Sequence, residues 1–284
     1  VRNAISAQLS GQFRYELDDG AAIVVRIDID RAARCARVDF TGTSAQGPHN
    51  FNAPRAVCLA AVLYVFRTLI ERPIPLNEGC LEPLEIVIPP GSMLDPQPPA
   101  AVAAGNVETS QCIVDALYGA LGILAASQGT MNNLTFGDEH LQYYETIAGG
   151  AGAGPDFDGC DAVHTHMTNS RLTDPEILEG QFPVLVREFA IRRGSGGRGR
   201  HHGGDGVVRR LEFRAPFSGA LLANHRRIAP FGLAGGEPGA RGEGHIRRAG
   251  GAIETLGATA RFDVAPGDEL TILTPGGGGF GAPT

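Results

Sequence analysis

Lysine is absent: all 24 basic residues are arginine. That excludes a Walker A phosphate loop, which needs Gly-Lys-Ser/Thr, and a Schiff-base lysine. Any ATP chemistry must use arginine or take place on a partner. Long apolar runs are also missing. The longest, near Ala56 to Phe66, falls short of the ~20 residues that span a bilayer, and no signal-peptide pattern is visible. The five cysteines (Cys35, Cys58, Cys80, Cys112, Cys160) are odd in number, widely spaced and form no C-x-x-C pair. A disulfide framework is therefore not expected, and reduced thiols in a cytoplasmic protein fit better. Ser44 and Ser195 lack the G-x-S-x-G elbow, which excludes a serine hydrolase of that type. Net charge is −7 and the arginines do not interleave with aromatics, so neither a nucleic-acid surface nor a membrane partner is expected.

What is present is a globular composition with one outlier. Apolar residues make up 43% and charged residues 19% of 284, which excludes a wholly disordered chain. Glycine, at 40 residues, is about twice its usual ~7% share, with no collagen period. Alternation at Phe13, Tyr15, Ile23, Val25, Ile27, Ile29, Val38 and Phe40, broken at Asp18-Asp19-Gly20 and Asp30-Arg31, predicts an antiparallel meander. Residues 53–71, with Asn52 and Pro54 at their start, predict a buried helix. A second helix is predicted from Glu108 to Ser127 through Ile113, Leu117, Leu121 and Leu124, with Glu108, Thr109 and Ser110 as cap and first-turn residues. A short strand is expected near Leu84 to Ile88, a further one over residues 142–148, and a short helix at Asp174 to Gly180 with Pro175 in its first position. After Val184 short apolar runs between Gly/Pro turns predict a β-rich region. The expected fold class is mixed α+β: a meander, two main buried helices and a β-rich C-terminal region, divided as 1–182 and 183–284. Val1 reads as mid-helix, as in a portion of a longer chain.

Four constellations could carry chemistry. His164-Thr165-His166, taken as a strand, would project both imidazoles to one side as half of a metal site, with Glu145, Asp158 or Asp161 as third ligand. A hydrogen-bonded histidine pair is the plainer alternative. Gly149 to Gly154 has glycines at dinucleotide-like spacing, but no helix follows, so a Rossmann turn is a poor fit. A loop whose N–H groups meet a ligand and a plain tight turn both stay open. Asn106 to Gln111 enters a helix, and Asn132 and Asn133 add amides. A helix N-terminus suits a carboxylate or a developing oxyanion, although capping alone would explain Thr109 or Ser110. Arg198-Gly-Arg200-His-His202 could clamp phosphate or be a solvated loop.

These segments resemble one family. Asp39-Phe-Thr-Gly-Thr-Ser44, Asn52-Ala-Pro-Arg55, Pro75-Leu-Asn-Glu-Gly-Cys80, Gly105-Asn-Val-Glu-Thr-Ser-Gln111, Ser127-Gln-Gly-Thr-Met-Asn-Asn133, Tyr144-Glu-Thr-Ile-Ala-Gly-Gly150, His164-Thr-His-Met-Thr-Asn169 and Thr274-Pro-Gly-Gly-Gly-Gly279 are similar, in this order, to the C-terminal part of the hydantoinase B/5-oxoprolinase family. The resemblance implies ATP-dependent opening of 5-oxoproline or hydantoin-like rings. It implies ATP, with Mg, on a hydantoinase A-like partner subunit or domain, and a hetero-oligomer. Related carboxylases use the same architecture on ketones. The upstream His/Asp motifs of the family are missing from this sequence. Within the frame of that resemblance, Glu145, Asn106 and Glu108 are the candidate catalytic residues. Thr109, Ser110, Asn132, Asn133, Gly149 and Gly150 are candidates for substrate binding, and His164 and His166 for a divalent metal. Two other readings stay open: a non-catalytic scaffold that docks the A-type partner, and a free-standing metallohydrolase.

Overall fold

The computed structural model describes residues 1–70, 74–75 and 77–283. It divides into two compact units, Val1–Leu124 and Ala125–Thr284. Its four helices and thirteen strands among the described residues make a mixed α+β protein, as expected.

In the first unit, β1 (Gly11–Glu16), β2 (Ala22–Asp30) and β3 (Cys35–Asp39) form the predicted antiparallel meander, and β4 (Leu84–Val87) adds in parallel to β3. A short helix α1 (Arg2–Ser6) precedes them. Tyr15, Ile23, Val25, Ile27 and Val38 are buried, the inward face of a period-two pattern. Helix α2 (Arg55–Thr68) buries Cys58, Ala61, Val62, Val65 and Phe66, a single stripe rather than apolar cover all round. Glu71, where the sequence ended this helix, lies outside the described residues. Pro54, not Asn52, occupies the N-cap position.

Helix α3 (Ser110–Leu121) is buried on every side. Two glycines let β1 approach it: a Cβ on Gly11 would stand 2.1 Å from the Ala120 carbonyl, and one on Gly119 would meet the Phe13 ring at 2.8 Å. The helix stops six residues before the predicted end, because Gly122 takes φ +70° and its N–H returns to the Tyr118 carbonyl at 2.9 Å, a left-handed C-cap.

The second unit packs two antiparallel sheets face to face. One runs β12 (Thr259–Val264), β9 (Phe217–Leu222), β5 (Asn133–Gly137), β6 (Gln142–Glu145); the other β11 (Ile253–Thr255), β10 (Glu243–Arg247), β13 (Glu269–Leu273), β8 (Gly206–Phe213), β7 (Val184–Arg192). Their shared core centres on Phe136, whose ring lies 5.0–6.0 Å from those of Tyr143, Phe182, Phe213 and Phe217. Helix α4 (Pro175–Gln181) starts as predicted, with the Asp174 carboxylate accepting from Glu176 N–H at 3.0 Å. The change of sequence character near residue 182 is not where the contacts divide. Strands β5 and β6 come before it and yet pair with β9, so residues 125–182 belong with the later sheets.

The glycine surplus goes into a layer of stacked extended segments in this unit. Gly277 N–H donates to Gly204 (2.9 Å), Gly204 N–H to Ala151 (2.8 Å) and Gly278 N–H to Ala126 (2.8 Å). At Gly277 a Cβ would stand 1.9 Å from the Ala151 carbonyl oxygen. Only residues without side chains allow backbones this close.

Candidate functional site

The sequence-predicted residues fall in both units. Asn106, Glu108, Thr109 and Ser110 lie in the first, at the start of α3, where residues Gly105–Thr109 form a π-helical turn. A wide turn of this kind is frequent at functional sites. Asn106 is exposed, while Glu108, Thr109 and Ser110 are fully buried. The two hydroxyls are occupied by the fold: Thr109 Oγ1 donates to the Phe51 carbonyl, and Ser110 Oγ to the Asn106 carbonyl at 2.6 Å. Neither caps the helix through its side chain. Asn52 serves as a clasp beside this turn, its amide nitrogen donating to the carbonyls of Gly47, His49 and Ala101.

The second unit holds the others. Glu145 is fully buried and forms a two-pronged ion pair with Arg209, Nε to Oε1 at 3.3 Å and Nη2 to Oε2 at 3.1 Å. Tyr143 donates its hydroxyl to the same carboxylate at 2.8 Å. Burial and the Glu145 charge both push the Tyr143 hydroxyl's pKa up. Three of this carboxylate's roughly four acceptor positions are taken by these contacts.

Asn132 and Asn133 point apart. Asn133 bridges the Leu222 carbonyl (2.9 Å) and the Tyr144 hydroxyl (2.7 Å). Asn132, at φ +45° and fully buried, joins a polar seam. Its amide nitrogen donates to Gln128 Oε1 at 2.8 Å, and its Oδ1 accepts from Arg226 Nη2 at 2.8 Å. Arg226 Nη1 donates to the Asn224 carbonyl at 3.0 Å. Thr130 Oγ1 accepts from the N–H groups of Asn132 and Asn224. Arg226 then lines a cavity of about 320 Å³ with Glu243, His245, Ile253, Thr255 and Leu256. Sequence reasoning missed Arg226. The signal was the polar run Asn224-His-Arg-Arg227, placed directly after an apolar strand.

Gly149 touches this seam: a Cβ there would stand 2.0 Å from Gln128 Oε1. The N–H groups of Gly149 and Gly150 donate to the carbonyls of Val163 (3.2 Å) and Pro275 (3.0 Å), and those of Ala151 and Ala153 to Cys160 and Gly278. The loop therefore has no row of N–H groups left to cradle phosphate, and it does not fit the phosphates of ATP.

His164-Thr165-His166 is not a strand. Val163 makes an isolated bridge to Gly149, and His166 turns into the left-handed region at φ +52°, so the two imidazoles do not share a strand face. Asp158 and Asp161, proposed as further ligands, accept from the backbone N–H groups of His202 and Asp205. Among the described residues no three His, Cys, Asp or Glu side chains are grouped to hold a metal ion, so the set does not fit one. His164 is half-buried, its Nδ1 is buried with no hydrogen-bond partner, and burial lowers its pKa below the usual 6.5. Burial thus favours its neutral form, and one ring nitrogen has no partner.

A sequence profile described as hydantoinase B/oxoprolinase matches residues 1–283. The chain belongs to this family. It is 48% identical over 265 residues to a 5-oxoprolinase of Dictyostelium discoideum, covering 93% of this chain and 21% of that protein. It is 50% identical over 266 residues to 5-oxoprolinase 1 of Arabidopsis thaliana, covering 94% of this chain and 21% of the relative. The chain thus spans about a fifth of the length of these relatives. Among solved structures, the ATP-dependent caprolactamase from Pseudomonas jessenii shares the fold with a TM-score of 0.83 at 23% identity, over 99% of this chain and 53% of that one. An acetone carboxylase structure has a TM-score of 0.80 at 19% identity, covering 99% and 46%.

Proposed function

We propose that this chain is part of an ATP-dependent hydrolase that opens a small cyclic amide, with 5-oxoproline as substrate and glutamate as product. The observation that carries this reading is the near-50% identity to 5-oxoprolinases over more than nine-tenths of the chain. ATP, with Mg, is assigned to a hydantoinase A-like partner, since neither the lysine-free sequence nor the glycine layer offers a phosphate cradle. The protein is assigned to the cytoplasm as a hetero-oligomer. No helix among the described residues is long and apolar enough to cross a membrane.

A lactam opens when water attacks its activated carbon. The attacking water must give up a proton, and a base with pKa near working pH does this best. His164 is our candidate for that base: its half-buried ring has a nitrogen, Nδ1, without a hydrogen-bond partner, and burial disfavours its charged form. Glu145 holds position rather than takes a proton, because Arg209 and Tyr143 occupy it. Thr109 and Ser110 stiffen the start of α3 through their hydroxyls, and Asn106 is the exposed member of that group. Gly149, Gly150 and Asn133 serve packing, and Asn132 orients Arg226.

A second reading, a scaffold that docks the A-type partner, is favoured by the same internal use of Thr109, Ser110, Asn133 and the glycine N–H groups. The test is ADP release by the full-length protein with its partner, given 5-oxoproline, hydantoins or ketones. ADP release dependent on 5-oxoproline, with glutamate formed, supports the proposal. Release dependent on a ketone and bicarbonate favours the carboxylase branch. Full activity in His164→Asn favours the scaffold.

A further inference from the structure

We propose that the open edge of β7 pairs antiparallel with the same strand of a second copy of this chain, on a two-fold axis through Ala190. Strand β7 ends its sheet, with β8 as its neighbour. The Val207 carbonyl accepts from Thr274 N–H at 2.8 Å on the β13 side. Its β7 counterpart, Ile191, therefore turns its own N–H and C=O outward, away from β8. These groups alternate along a strand, so Phe189 also faces outward, and Ala190 between them bonds to β8. The first half of the edge is closed from within the chain. Val184 N–H donates to the Phe182 carbonyl at 2.8 Å, and Val186 N–H to the Glu179 carboxylate of α4 at 2.7 Å. Past the bulge between Val186 and Glu188, nothing among the described residues meets the outward N–H groups of Phe189 and Ile191. Phe189, Ala190 and Ile191 are all exposed, the two larger side chains at 46% and 38%. Bare edges invite pairing, and proteins block it with charged side chains. Arg14 and Glu16 stand exposed on edge strand β1, Glu254 on β11, and Arg261 and Asp263 on β12. This stretch of β7 is an unbroken apolar run.

The order of residues selects a second copy as the occupant. A two-fold axis through Ala190 sets Phe189 beside Ile191 of the copy and Glu188 beside its Arg192. The run Glu188-Phe-Ala-Ile-Arg192 is thus complementary to its own reverse. Apolar pairs and opposite charges across strands both stabilise a sheet, by about 0.2–1 kcal/mol a pair. An axis through Phe189 would instead set Arg187 beside Ile191, and one through Ile191 would set Phe189 beside Arg193. Glu188 already pairs with Arg210 at 3.1 Å and Arg192 with Glu243 at 2.8 Å, so the new contact continues a row of alternating charge. The outward groups of Phe189 meet those of Ile191 of the copy on both sides of the axis, as a self-complementary interface requires. The Ile191 carbonyl accepts from Arg193 N–H at 3.0 Å and keeps a second lone pair for this bond.

The pairing does not depend on the reaction assigned above and is tested on the full-length protein. At a non-hydrogen-bonded antiparallel pair the two Cα atoms lie about 4.5 Å apart, within the ~4.4–6.8 Å that a disulfide spans. Ala190→Cys under mild oxidation should therefore join the two introduced cysteines to each other in most chains, read by peptide mass mapping. Glu188→Cys lies four residues, about 13 Å, from its counterpart in this register and should not self-link. Ile191→Lys should lower the sedimenting mass of the wild-type assembly about twofold, and should remove the Ala190→Cys link when the two are combined. The cysteine at exposed Ala190 is a small change, so its link reads out even if the lysine variant misfolds. No link at Ala190→Cys, an equal link at Glu188→Cys, or a mass unchanged by Ile191→Lys overturns the pairing. Hydrogen exchange of residues 187–193 distinguishes the other occupant. Protection that rises with the concentration of this chain supports self-pairing. Protection that requires the A-type partner gives the edge to that partner and overturns it.

Discussion

Replacing Arg209 with Met should loosen the second unit along one line. Glu145 sits at the end of β6 in one sheet and Arg209 in β8 of the other, so their ion pair ties the two sheets through the core. Both side chains are buried, at 1% and 0% exposure. Removing the arginine leaves a carboxylate in the core with, among the described residues, only the Tyr143 hydroxyl to meet it. Breaking a buried pair from one side costs about 3–5 kcal/mol, while replacing both partners with apolar groups is often close to neutral. At 1.4 kcal/mol per decade, that cost is about two to three and a half orders of magnitude in local opening. Hydrogen exchange of β6 and β8 peptides in the intact protein reads it directly. Arg209→Met should exchange about a hundredfold or more faster, and the double variant Arg209→Met with Glu145→Leu should recover most of the protection. A single variant within about threefold of wild type, or a double variant no better than the single, would refute the reasoning.

The glycine layer predicts a sharp contrast. Gly277→Ala places a methyl 1.9 Å from the Ala151 carbonyl oxygen, whereas Gly250→Ala meets nothing within 4 Å. The first should cost more than about 3 kcal/mol and show as lost soluble yield or a large fall in Tm; the second should stay within ~0.5 kcal/mol. Phe136→Ala empties the centre of the aromatic cluster and should destabilise the second unit by about 3–5 kcal/mol, read by hydrogen exchange of β5 and β9. His164 predicts a pH effect. Burial lowers its folded pKa below the unfolded value of 6.5, so the unfolded chain binds the proton more readily. The resulting loss of stability is absent well above pH 6.5 and grows as pH falls toward the folded pKa. His164→Asn should flatten that acid-side fall in a Tm series from pH 8 to 5.

Where local chemistry decides, the sequence was readable. The meander follows from alternation around Asp18-Asp19-Gly20, and α4 from Asp174 followed by Pro175. Where the partner is remote, it was not. Glu145 is read as a base from its residue type, but Arg209, 64 positions on, takes its carboxylate. The His-x-His argument presupposes a strand, and the positive φ at His166 follows a bridge from Val163 to Gly149 that no local pattern announces. The glycine runs are legible as runs. That their N–H groups are consumed by one another depends on segments as far apart as Ala151 and Gly277. Arg226 carries no motif, and only the cavity and its link to Asn132 single it out.

The central claim is tested most directly by steady-state kinetics of the full-length protein with its partner on 5-oxoproline, wild type against His164→Asn. The account predicts one ADP released per ring opened. It predicts a kcat lowered about a hundredfold or more in the variant, the contribution typical of a general base, with KM little changed. ATP hydrolysis that ignores 5-oxoproline, or a variant as fast as wild type, would contradict it.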